Sequence, residues 1–97
     1  MNLFEYDIPK LDSEDFYTLL EKENITIKKI VSNTLKTPQT FCSDKNEFVI
    51  VLKGCAKIEI DGEVKKLKTG DTLYIPAKKT HTLLKTKKIV VWLAIYF

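Results

Sequence analysis

Apolar and polar residues alternate along much of the chain after residue 25, and this alternation predicts β-strands. Residues 56–60 are a clear example, because small or branched apolar side chains alternate with charged ones. Residues 48–52 and 89–97 are continuous apolar runs instead, the pattern of strands covered on both faces. Asp61-Gly62 separates two such stretches and predicts a two-residue β-hairpin turn. We therefore predict an all-β barrel or sandwich of about seven or eight short strands.

Residues 12–22 are the one stretch with a helical period. Phe16, Leu19 and Leu20 are spaced as on one face of a helix. Asp12 or Ser13 can cap its N-terminus, because their side-chain oxygens accept hydrogen bonds from free backbone N–H groups. We predict one short N-terminal helix here, packed against the sheet.

The expected organisation is a single domain over residues 1–97. It would comprise an N-terminal segment, residues 1–24, that contains the helix, and a β-barrel over residues 25–97. The last strand is apolar on both faces, so one face should line the barrel and the other needs a cover. Either the helix or a second subunit could supply that cover, and a homodimer is the simplest expectation.

Composition narrows the class of protein. The chain is 44% hydrophobic and 30% charged, as in soluble globular proteins. No apolar run approaches the length of a membrane-spanning helix, and the first residues are acidic where a signal peptide would be basic. We expect a cytoplasmic protein that does not bind a membrane, and its two cysteines are too few for a disulfide framework.

Charge argues against a nucleic-acid partner. The net charge of +3 comes from lysine alone, because the chain contains no arginine. Arginine provides the bidentate phosphate and guanine contacts of most nucleic-acid-binding surfaces. The paired lysines are more typical of solvated strands, whose edges lysine protects from unwanted pairing. We therefore expect no nucleic-acid partner.

Two spaced motifs carry the candidate chemistry. Glu47 is followed after six residues by Gly54, and Gly70 is followed by Pro76 and then by His81. This pattern resembles the end of the first motif and most of the second motif of the cupins. The chain from residue 91 also resembles a branch of small bacterial cupins that lack the two histidines of the first motif. The resemblance implies a jelly-roll β-barrel in which Glu47 and His81 point into one cavity.

The two histidines that would complete a cupin metal site are missing. Counting back from Glu47 in the two registers that the motif allows gives Phe41 and Ser43, or Thr40 and Cys42. His81 is the only histidine of the chain. A full set of three histidines and one glutamate would suit iron, manganese, nickel or zinc.

Two metal hypotheses remain open besides a site without metal. Cys42, Glu47 and His81 could form a three-ligand zinc site that is completed by water. Alternatively, Glu47 and His81 could hold a divalent metal weakly. Without metal, the two side chains would be a polar pair inside an apolar barrel.

We therefore expect a small organic ligand to bind in the barrel through Glu47 and His81, with Phe41 as a hydrophobic wall and the metal weak or absent. The first alternative is a metal-dependent cupin enzyme of the isomerase, epimerase or dioxygenase type, with Glu47 and His81 as ligands. A metal-free form would use the same pair as acid and base. The second alternative is a dimeric structural or interaction module.

Overall fold

The computed structural model of the protein describes residues 1–97 and consists of seven β-strands connected by loops, without a helix. The strands are β1 (Ser13–Lys22), β2 (Ile25–Asn33), β3 (Gln39–Phe41), β4 (Glu47–Ile60), β5 (Glu63–Lys68), β6 (Thr72–Ile75) and β7 (His81–Tyr96). The all-β barrel expected from the alternating pattern is confirmed, whereas the short N-terminal helix is not.

All strand pairs are antiparallel, and two long strands hold the sheet together. The order is β1-β2-β7-β4-β5, with β3 added to β7 and β6 added to β4. The first part of β4 pairs with β6 and with the end of β7. The later part of β4 pairs with β5 and with the start of β7. Each long strand thus passes from one layer of the barrel to the other.

The core lies between these two layers. Alternate side chains of β4 and β7 point inward, which places residues such as Val49, Ile58 and Trp92 in one buried cluster. The Asp61-Gly62 turn closes the β4–β5 hairpin with φ angles of 53° and 75°, as a two-residue primed turn requires. The hairpin prediction is therefore confirmed.

The predicted helix at residues 12–22 is wrong, because β1 occupies Ser13–Lys22 and pairs with β2 along its whole length. A β-bulge accounts for the misleading pattern. The pairing skips Leu19, so Phe16 shares the inner face with Ile30 while Leu20 lies beside Ile27 on the outer face. One inserted residue breaks the period of two and produces spacings of three and four between apolar residues, which imitate a helix.

The N-terminal segment, which precedes β1 and has no regular secondary structure, covers part of the outer face of the sheet. Lys29 of β2 is almost completely buried there, and its Nζ donates to the carbonyl oxygen of Glu5 at 2.6 Å. Nδ2 of Asn33 donates to the carbonyl oxygen of Pro9 at 2.7 Å. At this position the cover expected from the sequence is therefore supplied by a segment without regular secondary structure instead of a helix.

Candidate functional site

A cavity of about 150 Å³ lies between the two layers of the barrel. Fourteen residues line it, and ten of them are hydrophobic. The other four lining residues are Glu14, Ser43, Glu47 and His81. The cavity is therefore a mostly apolar space with a small number of hydrogen-bonding groups, which is typical of small-molecule sites.

Glu47 and His81 are the first residues of their strands, and their side chains face each other at the wall of the cavity. Glu47 begins β4 and is 8% exposed, whereas His81 begins β7 and is 6% exposed. Oε1 of Glu47 is 3.9 Å from Nε2 of His81. This separation is beyond direct hydrogen bonding but short enough for strong electrostatic coupling. A ligand atom can therefore contact both groups at once.

The imidazole ring of His81 is held on two sides. Its Nδ1 lies 3.3 Å from the carbonyl oxygen of Lys79. The ring of Phe41 stacks on it, with 5.8 Å between ring centroids and an angle of 27° between the planes. Phe41 lies directly opposite His81 in the β3–β7 register, so the sheet itself positions the stack. Nε2 is thereby directed towards Glu47.

The loop before His81 contains one residue with a positive φ and is tied by hydrogen bonds to the segment before β4. Lys78 stands where the motif has its middle glycine, and it adopts a φ of 64°. This left-handed conformation favours glycine, since a Cβ atom is strained there. The Lys78 N–H donates to the carbonyl oxygen of Ser43 at 2.6 Å, which ties the loop to the segment before β4. Asn46 adds a second tie, because its Oδ1 accepts from the N–H of Ala77 at 3.0 Å.

Burial raises the pKa of the Glu47 carboxyl group above its usual value, because the charged form loses hydration. The nearby His81, a hydrogen bond from Tyr96 and the charge of Lys28 oppose this shift without cancelling it. The pKa of Tyr96 is raised as well, first by burial and then by the negative charge of Glu47. Glu47 is therefore a carboxyl group whose protonated form is favoured by its surroundings.

The metal hypothesis can be tested against the donor atoms that are present. Cys42 lines the cavity, but its side chain is exposed, and no group of three His, Cys, Asp or Glu side chains is arranged to hold a metal ion. Two neighbouring ligands of a tetrahedral zinc ion lie roughly 3.4 Å apart. Glu47 and His81 are 3.9 Å apart and lack a third protein ligand. The residues of this site do not fit a resident metal of the cupin type.

The structure also brings together residues that the sequence did not point to. Glu14 and Phe16 line the cavity, although the pattern placed them in a helix. Trp92 and Tyr96 of the last strand line it too. The strand formers Tyr17 and Thr18 beside Phe16 were the available signal, since such residues favour strands.

Glu14 is fixed by a chain of hydrogen bonds. Nε1 of Trp92 donates to Oγ of Ser32 at 3.0 Å, and the Ser32 hydroxyl donates to Oε2 of Glu14. Burial raises the pKa of Glu14, and the hydrogen bond from Ser32 opposes the rise. Two carboxyl groups with raised pKa values, Glu14 and Glu47, therefore line the same cavity.

Fold and motif agree with a comparison against known families. The family model described as Cupin domain matches residues 34–96. This match covers more than half of the chain, and the chain belongs to the cupin family. The strand Ser13–Lys22, which supplies Glu14, lies before the matched region.

Three relatives illustrate the placement. A solved structure from Ralstonia eutropha JMP134, for which mannose-6-phosphate isomerase activity has been proposed, is 34% identical, with a TM-score of 0.87, and the match covers 99% of this chain and 94% of that chain. A cupin superfamily protein from Desulfitobacterium hafniense DCB-2 shares the fold at 19% identity, with a TM-score of 0.79, over 92% of this chain and 81% of that one.

The third relative, an uncharacterized protein from Aquifex aeolicus (strain VF5), is 35% identical over 78 residues. The match covers 80% of this chain and 64% of that protein, so the chain spans less than two thirds of the relative's length.

No helix in the structure is long and apolar enough to span a membrane.

Proposed function

We propose that the protein binds a small organic molecule in the barrel cavity, with Glu47 and His81 as the groups that orient it. The observation that carries this proposal is a buried carboxyl–imidazole pair, 3.9 Å apart, at the wall of a mostly apolar cavity. Burying two ionisable groups costs free energy unless something compensates it. A ligand that hydrogen-bonds both would offset that cost.

The size of the cavity limits the ligand. An apolar cavity of about 150 Å³ is large enough for a benzene molecule. A ligand of roughly six to ten non-hydrogen atoms therefore fits. Its apolar part would contact the hydrophobic lining, and one polar group would lie between Oε1 of Glu47 and Nε2 of His81.

A fragment screen tests the proposal. Fragments of this size are screened by their effect on the backbone amide resonances, and the dissociation constants of the hits are measured for the wild-type protein and three variants. We expect Glu47→Gln and His81→Gln each to weaken binding about tenfold or more, because each removes a partner of a desolvated polar group. Glu59→Gln is the matched control, since Glu59 is an exposed glutamate of the same strand. Hits that bind both site variants as tightly as the wild type would contradict the proposal.

Isomerisation of a sugar phosphate is a second candidate function. The 34% identity to the Ralstonia eutropha protein favours it, and a carboxyl group of raised pKa beside an imidazole could transfer protons. Against it, the cavity is lined by neither lysine nor arginine, the side chains that usually hold a phosphate group. This candidate requires turnover of mannose 6-phosphate that both Glu47→Gln and His81→Gln abolish. If the wild-type protein shows no turnover in a coupled assay, the isomerase candidate is excluded and ligand binding remains as the proposed function.

A further inference from the structure

We propose that the ligand of this cavity is a small organic cation, an alkyl- or arylalkylammonium ion, held by the carboxyl groups of Glu14 and Glu47. This inference rests on the proposed ligand-binding function and assigns a chemical class to the ligand. It also adds Glu14, a residue outside the region that matches the cupin family, to the binding site.

The charged groups of the lining favour a cation. Glu14 and Glu47 reach the cavity from β1 and β4, so negative charge can surround a ligand from two strands. No lysine or arginine lines the cavity. A carboxylate or phosphate ligand would be repelled by these two carboxyl groups wherever they are ionised, whereas an ammonium group would favour their ionised forms and neutralise them.

The aromatic side chains of the lining favour the same class. Four rings border the cavity, namely Phe16, Phe41, Trp92 and Tyr96. The face of an aromatic ring attracts a cation through its quadrupole, and pockets with several such rings recognise organic ammonium ions. An apolar ligand would also be accommodated by these rings, but it would give neither carboxyl group a positively charged partner.

The protein itself places an ammonium group near this site. Nζ of Lys28 lies 5.4 Å from the ring centroid of Tyr96. The charge of Lys28 also lowers the pKa of Glu47, so the ammonium group acts on both a ring and a carboxyl group of the lining. A ligand ammonium inside the cavity would make the same two kinds of contact.

Glu14 is positioned for a ligand contact. Its Oε2 accepts the hydrogen bond from Ser32, whose hydroxyl in turn accepts from Trp92. This chain fixes the orientation of the carboxyl group and leaves Oε1 available to a donor in the cavity. An ammonium group has three N–H donors, so it can bond to more than one acceptor of the cavity lining.

Binding of a cation should tighten as pH rises. The raised pKa values of Glu14 and Glu47 mean that both carboxyl groups ionise above their usual range, and a bound ammonium would favour the ionised forms. The other titratable groups around Glu47 are His81, Tyr96 and Lys28. An alkylammonium stays charged at pH 8, as the lysine side chain does.

A matched ligand series tests the class. Benzylamine, benzyl alcohol and benzoate have nearly the same size and differ in charge, and their dissociation constants are measured by calorimetry at pH 8. We expect benzylamine to bind about tenfold or more tightly than benzyl alcohol, and benzoate to bind most weakly. Benzyl alcohol or benzoate binding as tightly as benzylamine would overturn the cation proposal and leave the ligand-binding function intact. Failure of all three ligands to bind would overturn the cation proposal, whereas the ligand-binding function is decided by the fragment screen.

Two variants then test the role of Glu14. Glu14→Gln keeps an acceptor for Ser32 and removes the charge, so we expect the preference for benzylamine over benzyl alcohol to fall about tenfold. Glu21→Gln is the control, because Glu21 is an exposed glutamate of the same strand. Circular dichroism establishes that each variant is folded. An unchanged preference in folded Glu14→Gln would show that Glu14 does not contact the cation.

Discussion

Glu47 is removed from water on folding without gaining a hydrogen-bonded cation. Its nearest base is Nε2 of His81, at 3.9 Å, and the largest influence on its pKa is loss of hydration. If this position served only to stabilise the fold, an apolar residue would be expected, because a buried ionisable group lowers stability. This burial supports the proposal that a ligand completes the contacts of Glu47.

The raised pKa of Glu47 makes a prediction for stability. The folded state holds the Glu47 proton more tightly than the unfolded state, whose pKa is about 4.5. The contribution of this group to stability is therefore lost as pH rises above 4.5 towards the folded-state pKa. Glu47→Gln removes that loss. We therefore expect the free energy of unfolding of the variant, minus that of the wild type, to be larger at pH 8 than at pH 4.5. Urea unfolding at both pH values measures the change, and an equal difference at the two pH values would contradict it.

The sequence predicted some of the residues that line the cavity and missed others. Glu47, His81 and Phe41 could be placed because the motif spacing and the strand alternation set which side chains face inward. Glu14 could not be placed, since its element was misassigned as a helix. Cys42 lines the cavity, but its thiol is exposed and does not form a set of three metal ligands with Glu47 and His81. The position of Cys42 depends on the geometry of the loop before β4, which cannot be derived from the spacing of residues in the sequence.

At the scale of elements, local turn chemistry predicted the structure better than periodicity did. Asp61-Gly62 specified a hairpin because few residues adopt two successive positive φ angles. The period of residues 12–22 was misleading because the bulge at Leu19 interrupts the alternation. Bulges arise from the fit between neighbouring strands, which a single segment does not reveal.

The corner of β4 provides a test of how the two layers are joined. Gly54 has a φ of 102°, and a Cβ atom at this position would lie 2.6 Å from the carbonyl oxygen of Ile89. We expect Gly54→Ala to lower the free energy of unfolding by about 3 kcal/mol, because a steric clash adds to backbone strain. Gly70→Ala is the control, since Gly70 has a φ of 92° and open space around its Cα.

Gly70→Ala should lose only about 1 kcal/mol, which reflects the strained backbone alone. Denaturant unfolding of both variants measures the difference. Equal losses would mean that Gly54 is not sterically restricted at this corner.

At the scale of the whole molecule, the barrel combines an apolar interior with a lysine-rich exterior. On the outer face, Lys57 of β4 lies directly opposite Lys66 of β5 and Lys85 of β7. These side chains are exposed and make no ion pair, since the two lysine–carboxylate bridges involve Lys65 and Lys79 instead. The absence of a nucleic-acid partner stays a prediction.

Self-association also stays a prediction. The N-terminal segment covers the outer face around Lys29, where its carbonyl groups accept hydrogen bonds. Further along the sheet, the row formed by Ile27, Ile95 and Phe48 is only partly buried within one chain. Such a row is the surface on which a second subunit would pack, and the sequence pointed to it through the apolar last strand.

The most direct test of the account uses the single histidine. Since His81 is the only histidine of the chain, its imidazole signals in a ¹H–¹³C spectrum of the untagged protein report on the cavity without assignment. Titration with benzylamine should shift these signals to saturation, with the dissociation constant found by calorimetry. If calorimetry detects binding but the His81 signals do not move, the ligand binds elsewhere and the proposed site is wrong.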